Sequence, residues 1–241
     1  ERMVAAAFCM AAVVVIKPAF APAAVVLFCT MTNRFRVAAL VAGGLFILLS
    51  LALLGWDVHK AFLENLLHEG SLGNGGWRNS NPFSWIFTLF SYAANDDFAG
   101  LIAARVCQLS AASALVWLLF SQLHAGLAGP AARHTAFATA VVTTLTLSPT
   151  VWSHYLSALL IPLAALIALR RYLPSSAQVL IIALVFLSIF QNFLIKSKLE
   201  RGFGFNEYPT VLFASLIVSL PALLMIACMI AFRRDIQRAL D

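Results

Sequence analysis

A polar stretch between two apolar runs carries the side chain best suited to chemistry. The stretch is LSPTVWSHYLSALLIP (147–162), and its polar or helix-breaking members include Ser148, Pro149, Trp152, Ser153, His154 and Tyr155. A proline ends a helix, while Trp and Tyr favour the membrane–water interface. An imidazole can serve as general acid, general base or donor to a phosphate oxygen near neutral pH. His154 is therefore the first candidate, and a capping or solvated histidine at a helix end is the simpler alternative.

A second candidate is Lys17, which lies in VVVIKPAFAP between two apolar runs. A charged side chain at membrane depth is costly and often marks a functional pathway. The ammonium of Lys17 would suit an anionic lipid phosphate. A lysine can also extend its stem to the interface without any further role, and the sequence leaves both interpretations open.

The segment 57–97 combines aromatic, amide and basic side chains. Residues 60–68 have the pattern of a short amphipathic helix at the interface, and GSLGNGG predicts a flexible loop. The following WRNSNPFSW groups side chains that could bind sugar hydroxyls or phosphate, namely Trp77, Arg78, Asn81 and Ser84. A wet interfacial loop with ordinary helix caps is the simpler alternative.

The elements that must position these residues are apolar helices. Hydrophobic residues make up 62% of the 241-residue chain and charged residues 11%, against about 25% charged in a soluble domain. The apolar runs are continuous and lack the alternation of a barrel. We therefore predict an all-α, polytopic transmembrane helical bundle with six full spans, over 37–56, 99–122, 135–152, 155–169, 177–195 and 210–232. The shorter runs 3–16 and 19–32 form either one helix kinked at Pro18 or a re-entrant pair with Lys17 at its tip.

Charge sets the expected orientation. If the spans alternate, one side holds eight basic residues: Arg34, Arg36, Arg133, Arg170, Arg171, Arg233, Arg234 and Arg238. The other side holds five: Lys60, Arg78, Lys196, Lys198 and Arg201. The positive-inside rule places the first side and the C-terminus in the cytoplasm. We expect one transmembrane domain over 1–241 in the inner or plasma membrane, with 57–97 as an extracytoplasmic segment and the His154 turn at the same outer surface.

Composition also bears on cofactors and partners. The formal net charge of +6 is explained by residues that flank spans, so no nucleic-acid partner is expected. The four cysteines lie in apolar runs without CxxC spacing, at Cys9, Cys29, Cys107 and Cys228. We interpret them as small buried hydrophobic residues and predict neither a metal site nor a cofactor.

Two stretches carry a resemblance to a known family. SPTVWSHYLSALLIPLAALIALRR closely resembles the Ser-Pro-x-x-Trp-x-His-His/Tyr signature of glycosyltransferase family 87. That family comprises C-type integral-membrane enzymes and includes polyprenyl-phosphomannose-dependent mannosyltransferases. VVVIKPAFAPAAVVLFCTMTNRFRVAALVAG is similar to the family's apolar-Lys-Pro-apolar-basic stretch, and the order of motifs agrees over most of 3–171.

The resemblance implies roles for particular residues. It implies that His154 contacts the donor phosphate as the catalytic residue, and that substrate is bound by Lys17, Asn81, Ser84, Trp152 and Tyr155. We predict Arg78 and Ser153 as further substrate-binding residues. Asn81 and Ser84 stand for the family's Asn-x-Ser element, here with Pro82 and Phe83 between them. The family's catalytic acidic residue lies in the first outer loop, and no residue before Asp57 corresponds to it. The chain is therefore expected to be the C-terminal part of a longer enzyme.

The implied activity is inverting transfer of a sugar, mannose in the first instance, from a polyprenyl-phosphate donor to a lipid or glycan acceptor. The transfer would take place on the extracytoplasmic face, among membrane lipids, and no nucleotide-binding Gly-rich motif is present. The main alternative is a membrane transporter or lipid flippase without enzymatic activity, which predicts paired ionisable residues or broken helices near mid-membrane. A purely structural subunit is a third possibility.

Overall fold

The structure is a computed structural model that describes residues 2–17, 20–72, 81–124, 130–148, 158–194 and 208–238. All regular structure within these ranges is helical, which confirms the all-α prediction for them. The helices are α1 (Arg2–Ile16), α2 (Ala21–Thr30), α3 (Asn33–Leu72), α4 (Ser84–Ala94), α5 (Asp97–His124), α6 (Pro130–Leu147), α7 (Leu160–Leu169), α8 (Ser175–Leu194), α9 (Tyr208–Ala231) and α10 (Arg233–Arg238). A 3-10 turn, Arg170–Tyr172, follows α7.

The chain divides into two compact units, Glu1–Ser71 and Leu72–Asp241. The first contains α1 to α3 and the second contains α4 to α10. The single transmembrane domain over 1–241 stays a prediction.

In the first unit, α1 and α2 form a helical hairpin beside the start of α3. The Thr32 hydroxyl, just after α2, lies 4.0 Å from the Met3 sulfur at the start of α1. Ala7 of α1 packs against Phe35 and Ala39 of α3, together with partly buried Leu27 of α2. The two short N-terminal runs are therefore separate helices that fold back on each other, with Lys17 directly after α1.

Arg36 closes the C-terminal end of α2. Its Nε donates to the carbonyl of Phe28 at 2.8 Å and its Nη2 to the carbonyl of Cys29 at 2.7 Å. The last carbonyls of a helix have no partner within the helix and carry its negative dipole end. A guanidinium bound to two of them explains how a helix of 10 residues ends cleanly beside α3.

α3 bends at Gly55, whose φ of 76° lies in the left-handed region that favours glycine. The His59 ring bridges this bend. Its Nδ1 lies 2.7 Å from the Gly55 carbonyl and its Nε2 lies 2.9 Å from the Ser50 hydroxyl. Because a carbonyl only accepts, Nδ1 is the protonated nitrogen in this arrangement. Residues 57–65 continue as helix beyond the bend, where the sequence predicts an amphipathic helix.

In the second unit, α6 is a largely buried helix. It is built largely from Ala, Val and Thr, and most of its residues from Ala132 to Thr146 are buried. Four of its threonines donate to the carbonyl four residues earlier: Thr135, Thr139, Thr143 and Thr146, at 2.8–3.0 Å. Small residues allow close helix packing, and these internal hydrogen bonds satisfy hydroxyls that have no water to bind.

α4 and α5 form an antiparallel pair joined by a tight turn. Asn95 at the turn has φ 50° and ψ 38°, and the Asp96 carboxylate accepts from the Phe98 N–H at 2.9 Å, which caps α5. Gly100 packs directly on α4, since a Cβ there would lie 2.6 Å from the Phe87 carbonyl. Part of the predicted 57–97 segment is thus a helix packed within the second unit, with Ser84 and Ile86 buried.

Two helices of the described chain are long and apolar enough to cross a membrane, Asn33–Asn65 and Asp97–His124. They include the predicted spans 37–56 and 99–122. Shorter apolar helices are Arg2–Ile16, Ala21–Thr30, Ser175–Leu184 and Ser215–Ala231. The bundle of six full spans is therefore not established beyond these two helices.

Candidate functional site

Asn81 joins three elements of the second unit. Its Nδ2 donates to the carbonyl of Ser148, the residue that follows α6, and its Oδ1 accepts from the Phe83 N–H at 2.8 Å. Its own carbonyl accepts from the Ser84 N–H at 3.1 Å. The same carbonyl also accepts from the hydroxyl of Ser219, in α9, at 2.9 Å. Asn81 therefore fixes the start of α4 to the end of α6 and to the middle of α9.

The hydroxyls beside Asn81 form a compact buried group. Ser84 Oγ lies 3.2 Å from Ser219 Oγ and 3.0 Å from the Asn81 carbonyl. Ser219 Oγ also lies 2.7 Å from the Ser215 carbonyl, so its single proton can serve either carbonyl. Asn81 and Ser84 are each 5% exposed, and Ser219 is fully buried.

A second amide binds the same end of α6. Gln108 of α5 donates through Nε2 to the Thr146 carbonyl at 2.7 Å, and its Oε1 accepts from Arg105 Nη1 at 2.7 Å. The end of α6 is the negative end of that helix dipole. The guanidinium of Arg105 is bound to Gln108 and so lies near this end, where its positive charge is electrostatically favourable.

Asn81, Ser84, Gln108 and Ser219 form a polar cluster. This polar cluster lies about halfway along two long helices. α5 begins at Asp97 and α9 at Tyr208, so Gln108 and Ser219 each follow the start of their helix by roughly eleven residues, or about 16 Å. α4 starts at the cluster and has 11 residues, which makes it a half-length helix. The alternation of spans predicts the turn after Ser148 at an outer surface, whereas Ser148 itself lies level with the middle of α5 and α9.

Some buried polar atoms of the second unit have no hydrogen-bond partner among the described residues. Among the described residues, the hydroxyls of Thr144 and Ser215 are buried and unbonded, and so are both amide atoms of Gln122. Gln122 is 2% exposed and lies 14 residues after Gln108 on the same helix. The chain thus holds two equally buried glutamines on α5, of which one binds α6 and one does not.

The residues predicted from the sequence fall into three groups. Asn81 and Ser84 are brought together with Ser148 in the second unit. Lys17 belongs to the first unit, half-buried, where its N–H donates to the Val13 carbonyl at 2.8 Å. The remaining predicted site residues lie outside the described part of the chain: Arg78, Trp152, Ser153, His154 and Tyr155. Their roles stay predictions.

Gln108 and Ser219 are residues of the cluster that the sequence reasoning did not select. Gln108 carried a weak signal, as an amide in an apolar helix three residues after an arginine. Ser219 carried none, because serine in an apolar helix usually bonds its own backbone. In the described ranges, no group of three or more His, Cys, Asp or Glu side chains could hold a metal ion.

Comparison of the chain with protein-family models, with curated proteins and with solved structures finds no match.

Proposed function

We propose that this chain forms part of a polytopic membrane glycosyltransferase that uses a polyprenyl-phosphate sugar, with mannose as the first candidate, as donor. The acceptor is a lipid or glycan on the extracytoplasmic face, and the remaining spans complete a helical bundle. The proposal combines the resemblance to glycosyltransferase family 87 with two observations on the second unit.

The first observation supports a membrane location. α5 turns large apolar side chains outward, including Val106, Trp117 and Phe120, which are 59%, 71% and 65% exposed. Its buried face carries the amides Gln108 and Gln122. Water disfavours a continuous exposed apolar face, whereas lipid accepts it and leaves polar side chains to be satisfied inside the bundle. With apolar side chains on its exposed face and amides on its buried face, α5 has the arrangement expected of a helix that faces lipid.

The second observation carries the functional proposal. The two polar segments implied to bind the donor, SNPFSW and the turn that begins at Ser148, are far apart in sequence yet meet through the hydrogen bond from Asn81 to the Ser148 carbonyl. Donor recognition by both segments requires such proximity. Because this contact joins residues 67 positions apart, it supports a site shared by the two segments.

The proposed chemistry is inverting transfer. A carboxylate removes the proton of the acceptor hydroxyl, and the hydroxyl oxygen attacks the anomeric carbon as the bond to the phosphate oxygen breaks. The polyprenyl phosphate leaves as an anion, which cationic and hydrogen-bonding groups stabilise in the transition state. His154 and Arg78 are the proposed groups for that task, and the role of Lys17 stays a prediction from the sequence.

Sugar transfer by the full-length protein in proteoliposomes tests this proposal, with polyprenyl-phosphomannose as donor. His154→Ala should lower kcat by roughly 10²–10³, the effect of removing one donor to a developing oxyanion. His134→Ala is the matched control, because His134 lies near the start of α6, at the opposite end from Ser148. Full activity of His154→Ala would remove His154 from the site.

A transporter or lipid flippase is a second candidate, and one observation favours it. Half-length helices that start near mid-membrane are typical of transporter sites, and α4 starts level with the middle of α5 and α9. The same proteoliposomes separate the two functions. Movement of a labelled lipid-phosphate sugar between leaflets, without any transfer to acceptor, would favour the transporter.

A further inference from the structure

We infer that Gln108 and Asn81 are positioning residues that hold the open end of α6, and with it the start of the polar turn at Ser148, at the middle of the second unit. This inference rests on the proposed function for its catalytic consequence. Its structural part stands on the described residues alone.

The last carbonyls of α6 require partners from outside the helix. The final four C=O groups of any helix lack intrahelical donors, and in a buried setting an unbonded carbonyl is costly. Here the Thr146 carbonyl accepts from Gln108 and the Ser148 carbonyl accepts from Asn81. The two amides come from different elements, so together they restrain the end of α6 from two directions.

Both amides are themselves held in place. Gln108 Oε1 accepts from Arg105, and Asn81 Oδ1 accepts from the Phe83 N–H. Fixing Oδ1 and Oε1 directs the NH₂ groups toward the carbonyls of α6. Gln108 and Asn81 are each 5% exposed, so water competes little for these bonds.

Isosteric substitutions remove the donor and keep the shape of the side chain, and the same added carboxyl is present in the control. Gln108→Glu keeps the acceptor for Arg105 and removes the NH₂ that binds the Thr146 carbonyl. Asn81→Asp likewise keeps the acceptor for Phe83 and removes the donor to Ser148. Gln122→Glu is the matched control, since Gln122 is an equally buried amide of the same helix whose polar atoms bind no described residue.

The first readout does not depend on activity. Ser153→Cys is introduced into the full-length protein after the four native cysteines are replaced by alanine, and its labelling rate with a maleimide is measured in proteoliposomes. Gln108→Glu and Asn81→Asp should each change the rate at position 153 several-fold, while Gln122→Glu should leave it unchanged. The melting temperature of each variant is measured in parallel to identify unfolded protein.

The second readout is sugar transfer from polyprenyl-phosphomannose. We expect Gln108→Glu to lower kcat about tenfold with little change in KM for the acceptor, because the reacting groups are displaced while acceptor binding remains. If a glutamate variant does not fold, Gln108→Met, which keeps the volume of the side chain without its charge, replaces it.

The outcomes separate the two proposals. Altered labelling with no transfer by the parent protein would leave the positioning role intact and reject the transferase. Unchanged labelling in both Gln108→Glu and Asn81→Asp would overturn the positioning role. Equal changes in Gln108→Glu and Gln122→Glu would also overturn it, because the effect would then belong to any buried amide of α5.

Discussion

Single polar side chains close the ends of helices in this protein. Arg36 binds two carbonyls at the end of α2, and Gln108 and Asn81 bind two carbonyls at the end of α6. In an apolar surrounding these bonds replace those that water would provide. Arg36, Gln108 and Asn81 are polar residues beside apolar runs in the sequence, and each of them binds a backbone carbonyl at a helix end.

Arg36 provides a prediction at this scale. Arg36→Ala should lower the free energy of unfolding by roughly 1–2 kcal/mol, because two charge-assisted hydrogen bonds to the end of α2 are lost. The melting temperature of the detergent-solubilised protein measures the change. Arg34→Ala is the control, since it removes the same charge from an exposed side chain of the same turn. Equal losses in both variants would show that charge, and not capping, is responsible.

At the scale of elements, close packing of α4 on α5 determines where α4 begins. Gly100 lets the backbones of the two helices approach near Phe87 and Ser91. The antiparallel pairing then sets Ser84 beside the Gln108 level of α5, where Ser84 meets Ser219. The depth of the polar cluster thus depends on a contact to which Gly100 contributes no side chain.

Gly100 provides the prediction for this scale. Gly100→Ala places a methyl group 2.6 Å from the Phe87 carbonyl, and relief requires the helices to separate, at a cost of about 1–3 kcal/mol. Gly44→Ala is the control in another helix, where an added Cβ has nothing within 4 Å and should be neutral or stabilise by up to about 1 kcal/mol. Thermal unfolding compares the two. A Gly100→Ala protein as stable as the parent would contradict the close packing.

At the scale of the whole molecule, charge is concentrated at one end of the second unit. α10 contacts the 3-10 turn after α7, which brings two groups of arginines to the same end: Arg170 and Arg171 with Arg233, Arg234 and Arg238. The sequence predicts both groups in the cytoplasm. The contact between their elements agrees with their being on one side.

Reporter fusions check this orientation. Alkaline phosphatase fused after Asp241 should be inactive, because five arginines at this end hold it in the cytoplasm. The same reporter fused after Asn95, at the turn between α4 and α5, should be active. A green fluorescent protein at Asp241 should be fluorescent and provides the complementary control. Active phosphatase at Asp241 would reverse the proposed topology.

The sequence alone determined the all-α class of the described residues and the bounds of three of the six predicted spans. α3 and α6 begin four and five residues before the predicted spans 37–56 and 135–152. The predicted spans 99–122, 177–195 and 210–232 agree within about two residues with α5, α8 and α9. Apolar runs and the charges or prolines that end them are local features, so a single sequence contains them. The break at Lys17 was also visible locally, and the structure has two separate helices on its two sides, Arg2–Ile16 and Ala21–Thr30.

The tertiary structure decided where the polar residues meet. Asn81 binds Ser148 and Ser219, which are 67 and 138 positions away, and no local pattern encodes the register between α4, α6 and α9. That register results from glycine contacts, small side chains and buried amides that must all be satisfied together. The sequence predicted Asn81 and Ser84 as site residues. Because it does not encode this register, only the fold placed them with Gln108 at the middle of the second unit.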